Sequence, residues 1–445
     1  MREALIATYH QSLAGDRSLT PEFLRHLKSM MRGRLLVYGD RAIGVSLRPH
    51  LLSRQQYATL VHSAEVVAAG IEKVVATMLD DPSSMENIGM TEREIKLALV
   101  DPKQRFATVT SRLDAFVHGN EVKFVEYNAE NPSSITDQQG LNEVLREVSA
   151  MQDLEACCDL RQFSPPDHLL NTLLHTYREW GGTGLPRIAI LDWSDLPTAS
   201  EFAVLQEFFA RNNVNAIICS PEQLTYEKGR LRWDDFEIDL VYKRVIINEL
   251  LDAFDDSHPL ISAYVAGDVC VVNPFRCKLA HKKAAFELLT DESNARLFSA
   301  TDWEIIQRTV PWTRLVTERK TRHKDRDVDL IEYIRKNQTE FILKPNDDYG
   351  GRGVVFGDRV STSEWEEALK EALTSDYVVQ EKLELWMEDF PIFDEDRWSL
   401  QPMYVDTNPF LFHGRVEGAM VRLSDSPVVN VTSGGGETGF FVIDD

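Results

Sequence analysis

Apolar residues recur at three- and four-residue steps along Tyr57-Ala-Thr-Leu-Val-His-Ser-Ala-Glu-Val-Val-Ala-Ala-Gly-Ile-Glu-Lys-Val-Val75, the spacing that lines one face of a helix. The first hundred residues are mostly of this kind, and no chemistry is visible among them. The period then changes to two. Phe106 to Val117 and Val122 to Asn128 alternate apolar and polar positions on either side of His118-Gly-Asn120, which predicts a β-hairpin. Further on, the apolar run Leu185 to Asp192, a helical stretch from Thr198 to Phe209 and the runs Asn215 to Cys219 and Ile238 to Arg244 follow one another at βαβ spacing. That alternation predicts a small doubly wound layer. No Gly-x-Gly-x-x-Gly opens it, so a dinucleotide site is not supported.

The remainder predicts a helix from Lys278 to Leu289, a strand at Glu340 to Pro345, a glycine loop, a helix from Ser363 to Leu373 and a strand at Tyr377 to Glu381. More strands close the chain, ending in Pro427-Val-Val-Asn-Val-Thr-Ser-Gly-Gly-Gly436. There is no internal repeat and no low-complexity linker. With 445 residues the chain is too long for one ordinary core, which predicts a multi-domain, cleft-forming protein.

Charge narrows the choice of partner. Against 48 Lys and Arg stand 71 Asp and Glu, a formal charge of −23. A field of that sign repels polyanions, which counts against nucleic acid and anionic membrane surfaces as partners. The few cations that cluster therefore carry information. The five cysteines form no Cys-x-x-Cys pair and read as reduced core residues. No apolar run approaches a membrane span, and charges interrupt the N-terminus before a signal-peptide core forms, so a cytoplasmic protein is expected.

Four groups of residues could carry chemistry. On the hairpin, Arg112 and Asp114 share one strand face, Glu126 and Asn128 share another, and the tight turn can bring these faces together. Such oxygens suit Mg²⁺, with Arg112 beside them for phosphate. The same residues also describe a solvated hairpin with an ordinary cross-strand ion pair. Second, Lys344 ends an apolar strand and leads into Pro-Asn-Asp-Asp-Tyr-Gly350-Gly351-Arg-Gly353, where an ammonium and several N–H groups can surround a polyphosphate. This is not a Walker loop, and alone it also reads as a hairpin turn. Third, Val378-Val-Gln380-Glu381-Lys-Leu383 ends a strand with groups that could pair with an adenine edge or simply face water. Fourth, Lys282 and Lys283 lead a helix and could supply phosphate cations or be surface charges.

The order of these groups resembles a known family. Asn273-Pro, Lys283-Ala-Ala-Phe-Glu-Leu-Leu, Leu-Lys344-Pro with its glycine loop, and Val-Val-Gln380-Glu381 are similar to the nucleotide half of an ATP-grasp ligase. Metal ligands ordinarily follow that half. Here Arg112-Leu-Asp114 and Glu126-Tyr-Asn128-Ala-Glu-Asn-Pro132-Ser-Ser134 lie near the other end, while Arg422 and Val429-Asn430 remain at the C-terminus. That split resembles the circularly permuted ATP-grasp proteins, the group that includes glutathionylspermidine synthase. The resemblance spans about 106–140 and 270–440 and includes no amidase domain.

The resemblance implies an α/β (α+β) chain with a circularly permuted ATP-grasp fold. Its parts would be a mainly helical region over 1–105, a segment carrying the metal-binding hairpin over 106–185, a small Rossmann-like layer over 186–270, and nucleotide-binding lobes over 271–445. It also implies ATP and Mg²⁺ as cofactors. Asp114, Glu126 and Asn128 would hold the metal, and Arg112 would meet the transferring phosphate. Lys283, or Lys282 in its place, and Lys344 would meet other phosphates under Gly350, Gly351 and Gly353, with Gln380, Glu381 and Leu383 at adenine. The implied reaction joins a small-molecule carboxylate to an amine of the amino acid, peptide or polyamine class through an acyl phosphate. A non-catalytic nucleotide-binding protein and an ATP-dependent phosphotransferase are the other readings.

Overall fold

In the computed structural model, which describes residues 1–432 and 434–444, the expected helix runs from Arg54 to Asp80 and forms a central pillar. Ser53 starts it: its hydroxyl accepts from the Gln56 N–H, and the Gln56 side chain accepts from the Ser53 N–H. The buried face is the one the sequence period marks, with Leu60, Val67, Ile71 and Val74 packed against Leu113, Phe124 and Tyr127 of the hairpin. The chain as a whole is mixed α/β, with helices and several sheets. Among the described residues no helix is long and apolar enough to cross a membrane.

Three sheets place the functional residues. The hairpin strands Thr110–His118 and Glu121–Asn128 pair antiparallel, with Gly119 at φ 57° in the turn and a bulge after Asp114. They form the edge of a six-stranded sheet because Arg112 pairs with Phe410 on the strand Trp398–Phe412, which continues to Arg415–Ser424 and Gly436–Thr438. A second antiparallel sheet orders Thr313–Leu315, Tyr377–Glu381, Phe341–Pro345 and Val355–Phe356. Phe341, Leu343 and Val379 of this sheet bury against helices Leu330–Lys336 and Thr362–Thr374, with Trp365 wholly enclosed. Alternation then turns Ile342, Lys344 and Gln380 to the opposite face.

The third sheet is parallel, in the order Cys270–Val272, Leu240–Lys243, Ile188–Leu191, Ala216–Cys219. This is the expected doubly wound layer. Asn273, directly after its edge strand, fixes it to the hairpin. Asn273 Oδ1 accepts from Thr110 N–H at 2.9 Å, and its amide donates to the Thr110 and Ala129 carbonyls at 2.7 and 2.6 Å.

Three sequence expectations are corrected. The helix from Lys278 to Leu289 is two short helices, Lys278–His281 and Ala285–Thr290. The break between them is held from outside: Asn346 accepts from Lys283 N–H through its carbonyl at 3.0 Å and from Ala284 N–H through its side chain at 2.8 Å. The described residues from Pro427 to Thr432 do not form a strand. Pro427 cannot donate to a ladder, and Asn430 folds the chain back by accepting from Thr432 N–H at 3.0 Å and from Gly435 N–H at 2.9 Å. Ser433 lies outside the described residues. Finally, only Cys219, Cys270 and Cys277 are core residues, because Cys157 ends a surface helix and is exposed and Cys158 beside it is half-buried.

Beneath the helix break lies a buried charge network. Lys278 Nζ stands 2.7 Å from Glu130 Oε1 and 2.6 Å from Asp347 Oδ1, and Lys282 Nζ stands 3.1 Å from Asp347 Oδ2 and 3.6 Å from Glu94 Oε2. The Lys278 and Glu130 side chains have no exposure. Removing one partner of such a pair strands the other in low dielectric, at a cost of about 3–5 kcal/mol. Lys278→Met is therefore expected to lower unfolding free energy in urea titrations by that amount; a loss under about 1 kcal/mol would show that the network does not anchor the fold.

Candidate functional site

The two antiparallel sheets face each other across a cavity of about 530 Å³, closed on a third side by the carboxyl ends of the parallel strands. Asp192, after Ile188–Leu191, and Arg244, after Leu240–Lys243, both line it. These two strands are neighbours at the point where the strand order reverses, the usual place for a ligand in an open α/β sheet.

The hairpin contributes its paired residues as one face. Asp114 opposes Glu126 and Arg112 opposes Asn128. Asp114 Oδ1 accepts from Arg112 Nε at 3.1 Å and from Asn128 Nδ2 at 3.0 Å, and its Oδ2 accepts from Arg422 at 2.7 Å. Burial alone would raise the Asp114 carboxyl, but the Arg422 and Arg112 guanidiniums outweigh it and hold it at about 2. Glu126 is half-buried. Burial raises its carboxyl too, yet the Lys283 ammonium, 3.0 Å from Oε1, leaves it below the usual range. Both carboxylates are thus ionised. Arg112 also donates to the Ser133 carbonyl at 3.1 Å, so its guanidinium is held in place.

Opposite them, Lys344 Nζ donates to Gln380 Oε1 at 2.6 Å and to the Val125 carbonyl at 3.3 Å, a contact across 219 residues of sequence. Burial is the main cause that lowers its ammonium to about 8, with Glu126 opposing. Of the two neighbouring lysines, Lys283 faces the cavity, whereas Lys282 is spent in the buried network. Lys283 Nζ also donates to the Asp348 carbonyl at 2.6 Å, which ties it to the glycine loop. In that loop Gly350, Gly351 and Gly353 all have positive φ. At Gly353, φ 64°, a Cβ would stand 2.7 Å from Pro345 Cγ, so the turn against the Lys344 strand requires glycine.

The cavity is apolar where Ile342, Phe356 and Leu383 line it. Glu381 is at its edge, its carboxylate 2.9 Å from Lys324 Nζ. Gln380 is almost fully buried, and its amide donates to Thr313 Oγ1 at 3.0 Å while its carbonyl holds Lys344. It therefore positions the lysine.

Other residues complete the site, and apart from Arg422 they have no local sequence signal. Arg422 pairs with Asp406 across the strands, its Nε 2.9 Å from Asp406 Oδ2, and burial pushes the Asp406 carboxyl up to about 6 against the pull of Arg422. Glu249 receives Trp193 Nε1 at 2.9 Å and the Tyr349 hydroxyl at 3.2 Å, joining the glycine loop to the parallel layer. Beyond Ser134 stand Asp137, Glu201 and Glu437. Burial, then Glu201, push the Asp137 carboxyl up to about 7, and burial, then Asp137, push Glu437 well above its usual range.

These last shifts set a pH dependence. Asp137 and Glu437 bind protons more tightly folded than unfolded, so the stability they contribute is full below their unfolded values, near 3.8 for Asp137, and is lost as pH rises through about 7. Asp406 and Asp192, both raised to about 6, act in the same direction. Buried histidines such as His50 and His281, whose imidazoles burial lowers, act in the opposite direction, so the test is a difference between variants. Relative to wild type, Asp137→Asn is expected to gain melting temperature as pH rises from about 5 to 8, and an unchanged difference across that range would contradict the assignment.

No family model matches the sequence, and no curated protein matches it. The described fold is similar to that of a glutathione synthetase-like effector from Globodera pallida, solved in its apo form. The identity is 12%, over 96% of this chain and 98% of that one, at a TM-score of 0.62. A protein described as a gamma-glutamylcysteine synthetase from Methylobacillus flagellatus is 13% identical over 86% of each chain. Its TM-score of 0.40 is too low to carry an argument. The first likeness shows that this mixed α/β chain shares the fold of a glutathione synthetase-like protein over nearly its whole length.

Proposed function

We propose that the chain is an Mg²⁺-dependent, ATP-consuming carboxylate–amine ligase of the circularly permuted ATP-grasp type, with substrates of the amino acid, peptide or polyamine class. The observation that carries this reading is the meeting of two distant segments. The Asp114–Glu126 hairpin and the Lys344 strand touch through Lys344 Nζ and the Val125 carbonyl, and Lys283 bridges Glu126 to the glycine loop. In this reading the segment 106–185 and the lobes 271–445 form one unit, with the parallel layer of 186–270 closing its substrate side and the helical region 1–105 bracing it.

The residues present fit Mg·ATP. Two ionised carboxylates and an amide oxygen, from Asp114, Glu126 and Asn128, are the hard donors Mg²⁺ takes. Glu126 is the freer carboxylate, since both oxygens of Asp114 are already engaged by Arg112, Asn128 and Arg422. Lys344 and Lys283 supply fixed cations for phosphate oxygens, and the apolar end at Ile342, Phe356 and Leu383 suits a flat base, with Glu381 at its rim.

Bound Mg·ATP would supply the phosphoryl group: its transfer to a substrate carboxylate would give an acyl phosphate and ADP, and attack by an amine would then expel phosphate. The chain's part is charge neutralisation and exclusion of water. A triphosphate beside a carboxylate repels itself unless cations offset it, and Lys344, Lys283, Arg112 and Arg422 stand ready in a low-dielectric cavity. The glycine loop, latched through Tyr349 to Glu249, closes the phosphate end against water that would hydrolyse the intermediate.

The test is amine-dependent turnover. ADP release is measured while amino acids, small peptides and polyamines are supplied in pairs, and release is expected only when carboxylate and amine are both present. Release with a single substrate would mark a phosphotransferase instead. Lys344→Ala and Glu126→Gln are each expected to lower kcat/KM for Mg·ATP by about 10²–10³ with melting temperature preserved. Unchanged nucleotide affinity and turnover in both variants would remove the reading.

A further inference from the structure

Outside the cavity, the helix Pro165–Trp180 ends beside the turn that joins the strands Trp398–Phe412 and Arg415–Ser424. His175 and Glu179 lie one helical turn apart, with Nδ1 and Oε1 at 3.9 Å. His413 stands opposite them in the turn. One ring nitrogen of each histidine and one Glu179 oxygen lie within 4.8 Å of one another, and none of the three residues lines the cavity. We propose that His175, Glu179 and His413 bind a divalent transition-metal ion of the zinc class, clipping this helix to the long β-hairpin.

The donor set selects the metal. Two imidazoles, which are borderline donors, beside one carboxylate oxygen suit Zn²⁺, with water in the fourth position, whereas Mg²⁺ prefers oxygen alone. In a tetrahedral site with bonds of about 2.0–2.1 Å, ligand atoms lie about 3.3 Å apart. Closing from 4.8 Å needs only side-chain rotation, which exposed His175 and Glu179 can make.

His413 is the fixed arm. Its ring stacks on Phe106 at 5.0 Å, its Nε2 lies 2.9 Å from the Oγ1 of fully buried Thr176, and the His175 ring meets it edge-on at 5.2 Å. A hydroxyl partner on one ring nitrogen holds the orientation of the ring and leaves the other nitrogen for a metal. The turn itself favours another residue. His413 at φ 49° and Gly414 at φ 73° form a two-residue turn with both angles positive, a place Asn-Gly fills best. Histidine at the first position serves the cluster more than the turn.

That difference supplies the control. Full-length, metal-stripped protein is titrated with ZnCl₂ in a calorimeter, with excess Mg²⁺ present to compete at hard-oxygen sites. Wild type is expected to take up one equivalent of zinc that His413→Asn and His175→Gln each lose or bind at least about 100-fold more weakly. Because asparagine suits the turn, metal-free His413→Asn is expected to melt at or above the wild-type temperature, so loss of zinc is not loss of fold. Retention of that equivalent in either variant, which would place the zinc at Cys157 and Cys158 or at the Asp114 hairpin, or no zinc uptake by wild type, overturns the proposal.

Discussion

The Lys278 ammonium, enclosed between Glu130 and Asp347, is the interaction on which the rest of the architecture depends. Glu130 follows the second hairpin strand, Asp347 stands at the root of the glycine loop, Lys278 opens the short helix before the break, and Lys282 lies in the break, where Glu94 joins from the helix Glu92–Ala98. Hydrophobic contacts tolerate sliding; charges without access to water do not, because each must keep its partner. The Asp114 hairpin and the glycine loop are therefore locked together through residues that do not line the cavity. Asn346 and Asn273 complete the joint by satisfying backbone groups on both sides of it.

The cavity shows the same economy of charge. Its cations already have partners: Lys283 with Glu126, Arg422 with Asp114 and Asp406, Lys344 with Gln380. In the proposed reading this pairing explains why metal and nucleotide must arrive together. Phosphate alone would draw Lys283 from Glu126 and leave buried negative charge, and Mg²⁺ alone on Glu126 would leave the Lys283 ammonium unpaired. Mg·ATP exchanges both partners at once, so no charge is left uncompensated.

Much of this was legible in the sequence, because the signals were local. The two-residue alternation around His118-Gly-Asn120 gave the hairpin and its shared face, the apolar run ending in Lys344 gave the strand, and the βαβ spacing gave the parallel layer. The failures were residues whose partners are distant. Nothing near Lys282 shows that the helix breaks there, since the groups that hold the break belong to Asn346, 62 residues beyond Ala284. Val428, Val429 and Val431 looked like strand because they are apolar and β-branched, but they line the cavity. Nothing beside Gln380 in the sequence shows that its side chain meets Lys344 and Thr313, 36 and 67 residues away. Glu94 lay in a region where no chemistry was visible, because its role exists only beside Lys282.

The account stands on one claim, that a single Mg·ATP is held between the hairpin and the Lys344 strand. A crystal structure with Mg²⁺ and a non-hydrolysable ATP analogue tests it most directly. The expected result is a metal with a Glu126 oxygen at about 2.1 Å, phosphate oxygens on Lys344 and Lys283, and the base against Ile342 and Leu383. A nucleotide bound elsewhere, with Lys344 still on Gln380 and Lys283 still on Glu126, would contradict it.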